Sequence, residues 1–113
     1  MHNKEVYMSK FLMQVSLTKD GAKGVAKDGG TKRRQAAEQF FKSAGGKLEA
    51  LYFAFGDTDV FAIVDFPDNA SAAAISLAGN GAGQASVKAT VLITPEEMDQ
   101  AAQKSQGLRP PGT

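Results

Sequence analysis

The sequence predicts an α+β domain with the element order β-α-β-β-α-β and a further helix at its C-terminal end. Three observations predict it. Apolar residues alternate or run together over strand-length segments at 11–17, 48–55, 60–66 and 87–93. Between them, residues 37–44 and 70–78 carry apolar side chains at helical spacing. Glycine, asparagine and aspartate gather at the joints, where turns need them.

The first strand sets Phe11, Met13, Val15 and Leu17 against Leu12, Gln14 and Ser16. "KDGAKGVAKDGGTKRR" follows, and Gly29 and Gly30 argue against an unbroken helix there. A short helical turn is expected, then a full helix from about Thr31 whose buried stripe is Ala37, Phe40, Phe41 and Ala44. Gly45 and Gly46 stop it, because glycine accepts the left-handed conformation of a helix C-terminus. The second strand (48–55) and third strand (60–66) form a hairpin through "GDTD". In the second, strict alternation places Leu48, Ala50, Tyr52 and Ala54 opposite Leu51, Phe53 and Phe55. Asp68 caps the next helix, with an expected stripe of Ala70, Ala73, Ala74, Leu77 and Ala78. Val87, Ala89, Val91 and Ile93 make the fourth strand. "TPEE" then spells a capping box, with Thr94 as cap, Pro95 at the first helical position and Glu97 three residues on. The last helix is expected to bury Met98, Ala101 and Ala102.

This order is that of the ferredoxin-like fold, whose two crossovers place both main helices on one face of an antiparallel sheet. The other face is then uncovered, although the hairpin 52–66 is apolar on both sides. A four-stranded face measures on the order of 400 Å², near the largest apolar patch that a monomer exposes. The expected cover is a second copy related by a twofold axis, giving a dimeric α/β barrel. The competing cover is the chain's own last helix.

The chain of 113 residues suffices for one domain: residues 1–9 read as an extension, 10–104 as the domain and 105–113 as a loose tail. Met8 is a second candidate start. The formal charge of +1 gives no electrostatic ground for nucleic acid or an anionic membrane as main partner. Without cysteine there is no disulfide, thiolate nucleophile or cysteine-ligated metal. The N-terminal stretch lacks the apolar core of a signal peptide and no window approaches a membrane span, so a cytoplasmic protein is expected.

Taken in order, "KFLMQVSLTKDGAKGVAKDGGTKRR", "GGKLEALYFAFGDTDV" and "PDNASAAAISLAGNGAGQASVKATVLITPEE" resemble the GYD-domain family, small bacterial ferredoxin-like proteins of mostly unassigned function. The resemblance runs from about Lys10 to Glu97. It implies the fold and an associating sheet, and it carries over no catalytic residue. Thr58 stands before Asp59 where the family usually has tyrosine, so no role tied to that tyrosine is transferred.

Few residues offer chemistry. His2 alone cannot build a histidine metal site or a triad. "GVAKDGGT" echoes a phosphate loop but has Gly30 where the loop needs lysine. Thr31, Arg33 and Arg34, opening a helix, are candidates for binding an anion, against the plainer reading of solvated surface charge. Tyr52, Asp59 and Asp65 are candidates for orienting a ligand beside a sheet-lined pocket. Turn chemistry is the plainer role of Asp59, and Asp65 needs a partner on its apolar face. Small side chains at Ala50, Ala54, Ala62 and Ala89 are expected to leave the space. These features suit a homo-oligomeric module binding a small apolar or weakly polar molecule, with no cofactor or metal implied. Two other readings stand beside it: a cofactor-free enzyme of the dimeric α/β-barrel kind, monooxygenase- or isomerase-like, and a purely structural subunit.

Overall fold

In the computed structural model, which describes residues 8–83 and 85–112, four strands make one antiparallel sheet in the order β2-β3-β1-β4. They are β1 (Ser9–Leu17), β2 (Lys47–Phe53), β3 (Val60–Phe66) and β4 (Ala85–Leu92). Helices α1 (Lys19–Asp28), α2 (Gly30–Lys42) and α3 (Asn69–Gly81) pack on one face, and α4 (Pro95–Ser105) follows β4. The arrangement is compatible with the ferredoxin-like order. Ser9 and Lys10 already pair in β1, so the strand begins inside the expected extension. His2 and the rest of residues 1–7 lie outside the described residues. No helix among the described residues is long and apolar enough to cross a membrane.

The core lies between the sheet and helices α2 and α3. Phe66 is fully buried, with Phe11 edge-on at 5.7 Å between ring centroids and Phe41 edge-on at 6.2 Å. Three elements, β3, β1 and α2, are thereby locked through one aromatic cluster. The end of α2 is fitted to it. Gly45 takes φ +80°, and Gly46 N–H donates to the Phe41 carbonyl at 2.9 Å. A Cβ on Gly46 would stand 2.6 Å from the Phe66 ring, so only glycine fits there.

Four expectations need correction. The segment before Gly29 is a helix of 10 residues rather than a short turn. Thr18 caps it by accepting from Gly21 N–H at 3.3 Å, and the break comes at Gly29, where φ is +82°. In β2, a bulge between Leu48 and Ala50 shifts the alternation, so Leu48 joins Leu51 and Phe53 on the helix-covered face. Along α3 the core side is marked by Ala72 and Ile75; Leu77 is 76% exposed and Ala70, Ala73, Ala74 and Ala78 are exposed. An alanine-rich helix carries little phase information, and the one β-branched residue, Ile75, sets it.

The fourth concerns α4. Its capping box forms as expected: Thr94 Oγ1 accepts from Glu97 N–H at 3.0 Å, and Glu97 Oε1 accepts from Thr94 N–H at 2.9 Å. Yet every residue from 93 to 112 is exposed, Met98 at 54%, with Ala101 and Ala102 uncovered as well. The helix therefore does not cover the open face of its own sheet.

Candidate functional site

Above the sheet, on the helix side, the packing leaves a cavity of about 370 Å³. Its floor is built from alternate residues of the strands: Val15 and Leu17 of β1, Leu51 and Phe53 of β2, Val60 of β3 and Val87 of β4. One wall is α2, through Ala36, Ala37 and Phe40, and the other is α3, through Ala78 and Gly79. Val25 of α1 closes a third side. The space exists because the helices present small residues over large strand side chains. Gly79 lets α3 approach β4 so closely that a Cβ there would stand 2.7 Å from Val87.

Among the described residues, Arg33 is the only ionisable side chain in the lining. Its guanidinium rests on α1, where a Cβ on Gly24 would meet it at 3.4 Å, and Nη1 lies 3.4 Å from the Asp28 carboxylate. That separation is long for a charge-assisted bond, which is commonly about 2.7–2.9 Å. The junction carries excess positive charge: residues 19–34 contain six basic side chains and two acidic ones. No side chain caps α2, and its first turn holds no acidic residue.

Arg33 is thus the one residue of the anion-binding trio that reaches the cavity. Arg34 turns instead to Glu38 at 3.5 Å, one helical turn on, and Thr31 is exposed. Tyr52 lies on the opposite face of the sheet and is 71% exposed. Asp59 ties the β2–β3 loop to the end of β1: its Oδ2 accepts from Leu17 N–H at 2.7 Å and its own N–H donates to the Val15 carbonyl at 2.8 Å. Asp65 finds the partner its position demands, Lys10 Nζ at 2.9 Å, on the open face. The structure brings neither Tyr52 nor the two aspartates to the cavity.

Of the alanines expected to make room, Ala62 is buried in the core, Ala50 faces outward and Ala89 belongs to the edge strand β4, beside a shallow groove along α3. The glycine and alanine density of α2 and α3 was the usable signal, and it lies in the helices rather than the strands.

The open face is mixed. Across the sheet, Tyr52, Phe61, Gln14 and Lys88 fall in one row, and Ala50, Ile63, Leu12 and Thr90 in the next. Lys10 bridges Glu49 and Asp65 at the far end, and both carboxylates, Glu49 first, raise its pKa. The apolar centre of Leu12, Phe61 and Ile63 is flanked by Gln14, Lys88 and Thr90 towards β4 and by the Lys10 cluster at one end.

No curated protein and no solved structure matches the chain. The family model described as the GYD domain matches residues 11–102, from Phe11 in β1 through the other three strands and most of α4, and the chain belongs to that family.

Proposed function

We propose that the chain is a binding module that holds a small, mostly apolar molecule in the helix-side cavity and self-associates through the open face of its sheet. The observation that carries the first half is the cavity, about 370 Å³ and walled by apolar side chains. Ligand sites are concave, largely apolar and supplied with few polar groups, and this space has that character. An acid–base enzyme needs at least one proton donor or acceptor titrating near its working pH. A guanidinium is a donor without acceptor capacity that proteins do not deprotonate, so this side chain type cannot serve as one.

The thermal stability of the wild type with indole, naphthalene and 1-decanol tests the reading. At least one is expected to raise the melting temperature in proportion to log concentration. Ala36→Leu and Ala78→Leu, which fill the space from exposed helix positions, respond less. Tyr52→Phe and Asp59→Asn, which lie outside it, respond as the wild type does. If no probe shifts the wild type, or the filled variants respond equally, the cavity is not the site.

Support for the second half comes from the uncovered face and the uncovered helix. Leu12, Phe61 and Ile63 make a contiguous apolar centre that α4 does not reach. An isolated helix shorter than about 12 residues is marginal in water, so α4 also stands to gain from a partner surface.

A further inference from the structure

We propose that the ligand of the helix-side cavity is an amphipathic monocarboxylate of medium chain length, its tail lying on the strand floor and its carboxylate paired with Arg33. The proposal rests on the cavity reading above and adds the chemical class of its occupant.

Two properties of the site select that class. The first is size. At the roughly 30 Å³ that a water occupies in the liquid, 370 Å³ holds on the order of a dozen non-hydrogen atoms. A decanoate chain matches that, and a long-chain lipid does not. The second is the distribution of charge. Every other described residue of the lining is apolar or glycine, so among the described residues polar recognition comes from Arg33. A guanidinium fork offers five N–H donors and matches a carboxylate in two-pronged geometry. Asp28 engages it only through Nη1 at 3.4 Å. Arg33 lines this apolar space with its guanidinium packed over Gly24, and beside apolar walls an opposite charge is attracted more strongly than in water. The positive excess of residues 19–34 favours the same sign of ligand. A neutral hydrocarbon leaves Arg33 unused. Inorganic phosphate leaves the apolar walls unused.

Titration calorimetry on the full chain with decanoate, 1-decanol and inorganic phosphate separates these terms. Decanoate is expected to bind the wild type at least tenfold tighter than 1-decanol, and phosphate not measurably. Arg33→Met keeps an apolar stem and removes the charge, so it abolishes the preference for decanoate over 1-decanol. Asp28→Asn releases the guanidinium from its neighbour and strengthens decanoate several-fold, without change for 1-decanol. This second variant keeps the proposal testable if Arg33→Met fails to fold. Equal affinity of the wild type for decanoate and 1-decanol overturns the carboxylate assignment and leaves the apolar cavity reading standing. Phosphate binding as tight as decanoate overturns it as well. If neither decanoate nor 1-decanol binds the wild type, both readings fall.

Discussion

Lys10 of β1 and Asp65 of β3 stand directly opposite each other in the sheet register, with Nζ 2.9 Å from Oδ1. Lys10 also donates to Glu49 on β2, so one ammonium ties the three strands at the end of the open face. The pairing explains how Asp65 tolerates its place beside Phe61 and Ile63. The two carboxylates, Glu49 foremost, hold the lysine above its ordinary pKa.

A pH dependence follows from that shift. Because the folded value lies above the unfolded one, the stabilisation is fully present below the ordinary lysine range of about 10.4. It is lost as pH rises through the folded value. Lys10→Met is therefore expected to be less stable than the wild type at pH 7, with the gap closing above about pH 10.5. Denaturant melts of both proteins across that range measure it. A gap that stays constant to high pH would show that the ion cluster contributes nothing through charge.

Gly46 offers a sharper test of core packing. An added methyl group would stand 2.6 Å from the Phe66 ring and 2.9 Å from the Phe41 carbonyl, and the latter is backbone that cannot swing away. Gly46→Ala is expected to cost about 1–3 kcal/mol, as overpacking commonly does. Gly81→Ala, where nothing lies within 4 Å of the new methyl, is expected to be neutral or mildly stabilising. Thermal melts of the two variants decide it, and equal melting temperatures would refute the packing argument.

Much of this architecture was legible in the residues, and the misses have definite physical sources. The alternation of Phe11, Met13, Val15 and Leu17, and that of Val60, Ala62, Val64 and Phe66, states which side meets the helices. Caps at Asp68 and Thr94 were equally readable, since each rests on a hydrogen bond three residues long in sequence. The bulge after Leu48 was not readable, because a bulge is settled by pairing with β3 and not by β2 alone. Nor was the phase of α3, whose alanines fit either side. The strand alanines point to space between facing sheets, whereas Ala36, Ala78 and Gly79 on the helices make the room of the helix-side cavity. Arg33 stands out for its charge, but its place in the cavity depends on α1, which Gly29 and Gly30 conceal as a short turn.

Asp68 gives a contrasting pH test at the other end of the scale. Hydrogen bonds from Ser71, first from its hydroxyl and then from its N–H, hold the Asp68 carboxyl below its ordinary value. A depressed folded pKa contributes stability above the unfolded value and loses it as pH falls through the folded one. Asn caps helices about as well as Asp, so Asp68→Asn is expected to match the wild type near pH 7 to within a small offset. On acidification to about pH 2.5 the wild type should lose more melting temperature than the variant. Parallel acid profiles would mean that the cap acts without its charge.

The last prediction concerns assembly. Ile63 lies at the centre of the open face, in the row that Ala50, Leu12 and Thr90 complete, and it is half-buried by its neighbours alone. Among the described residues no helix stands over it: α1, α2 and α3 occupy the other face, and the residues of α4 are all exposed. A second copy of the same face would bury this apolar centre, with Lys10 already paired to Glu49 and Asp65 at one end and Gln14, Lys88 and Thr90 left along the polar side. Light scattering on the purified wild type at tens of micromolar is therefore expected to report a dimer or a multiple of one. Ile63→Lys places a charge at the middle of the contact while leaving the helix-side core untouched. It is expected to give a folded monomer, or to weaken association at least a hundredfold, with an unchanged far-ultraviolet spectrum. Lys42→Ser, at an exposed position on α2, should alter neither assembly nor fold. A monodisperse wild-type monomer would remove the sheet face as an interface. A dimer that survives Ile63→Lys unchanged would move the contact elsewhere, to the uncovered helix α4 and its exposed Met98.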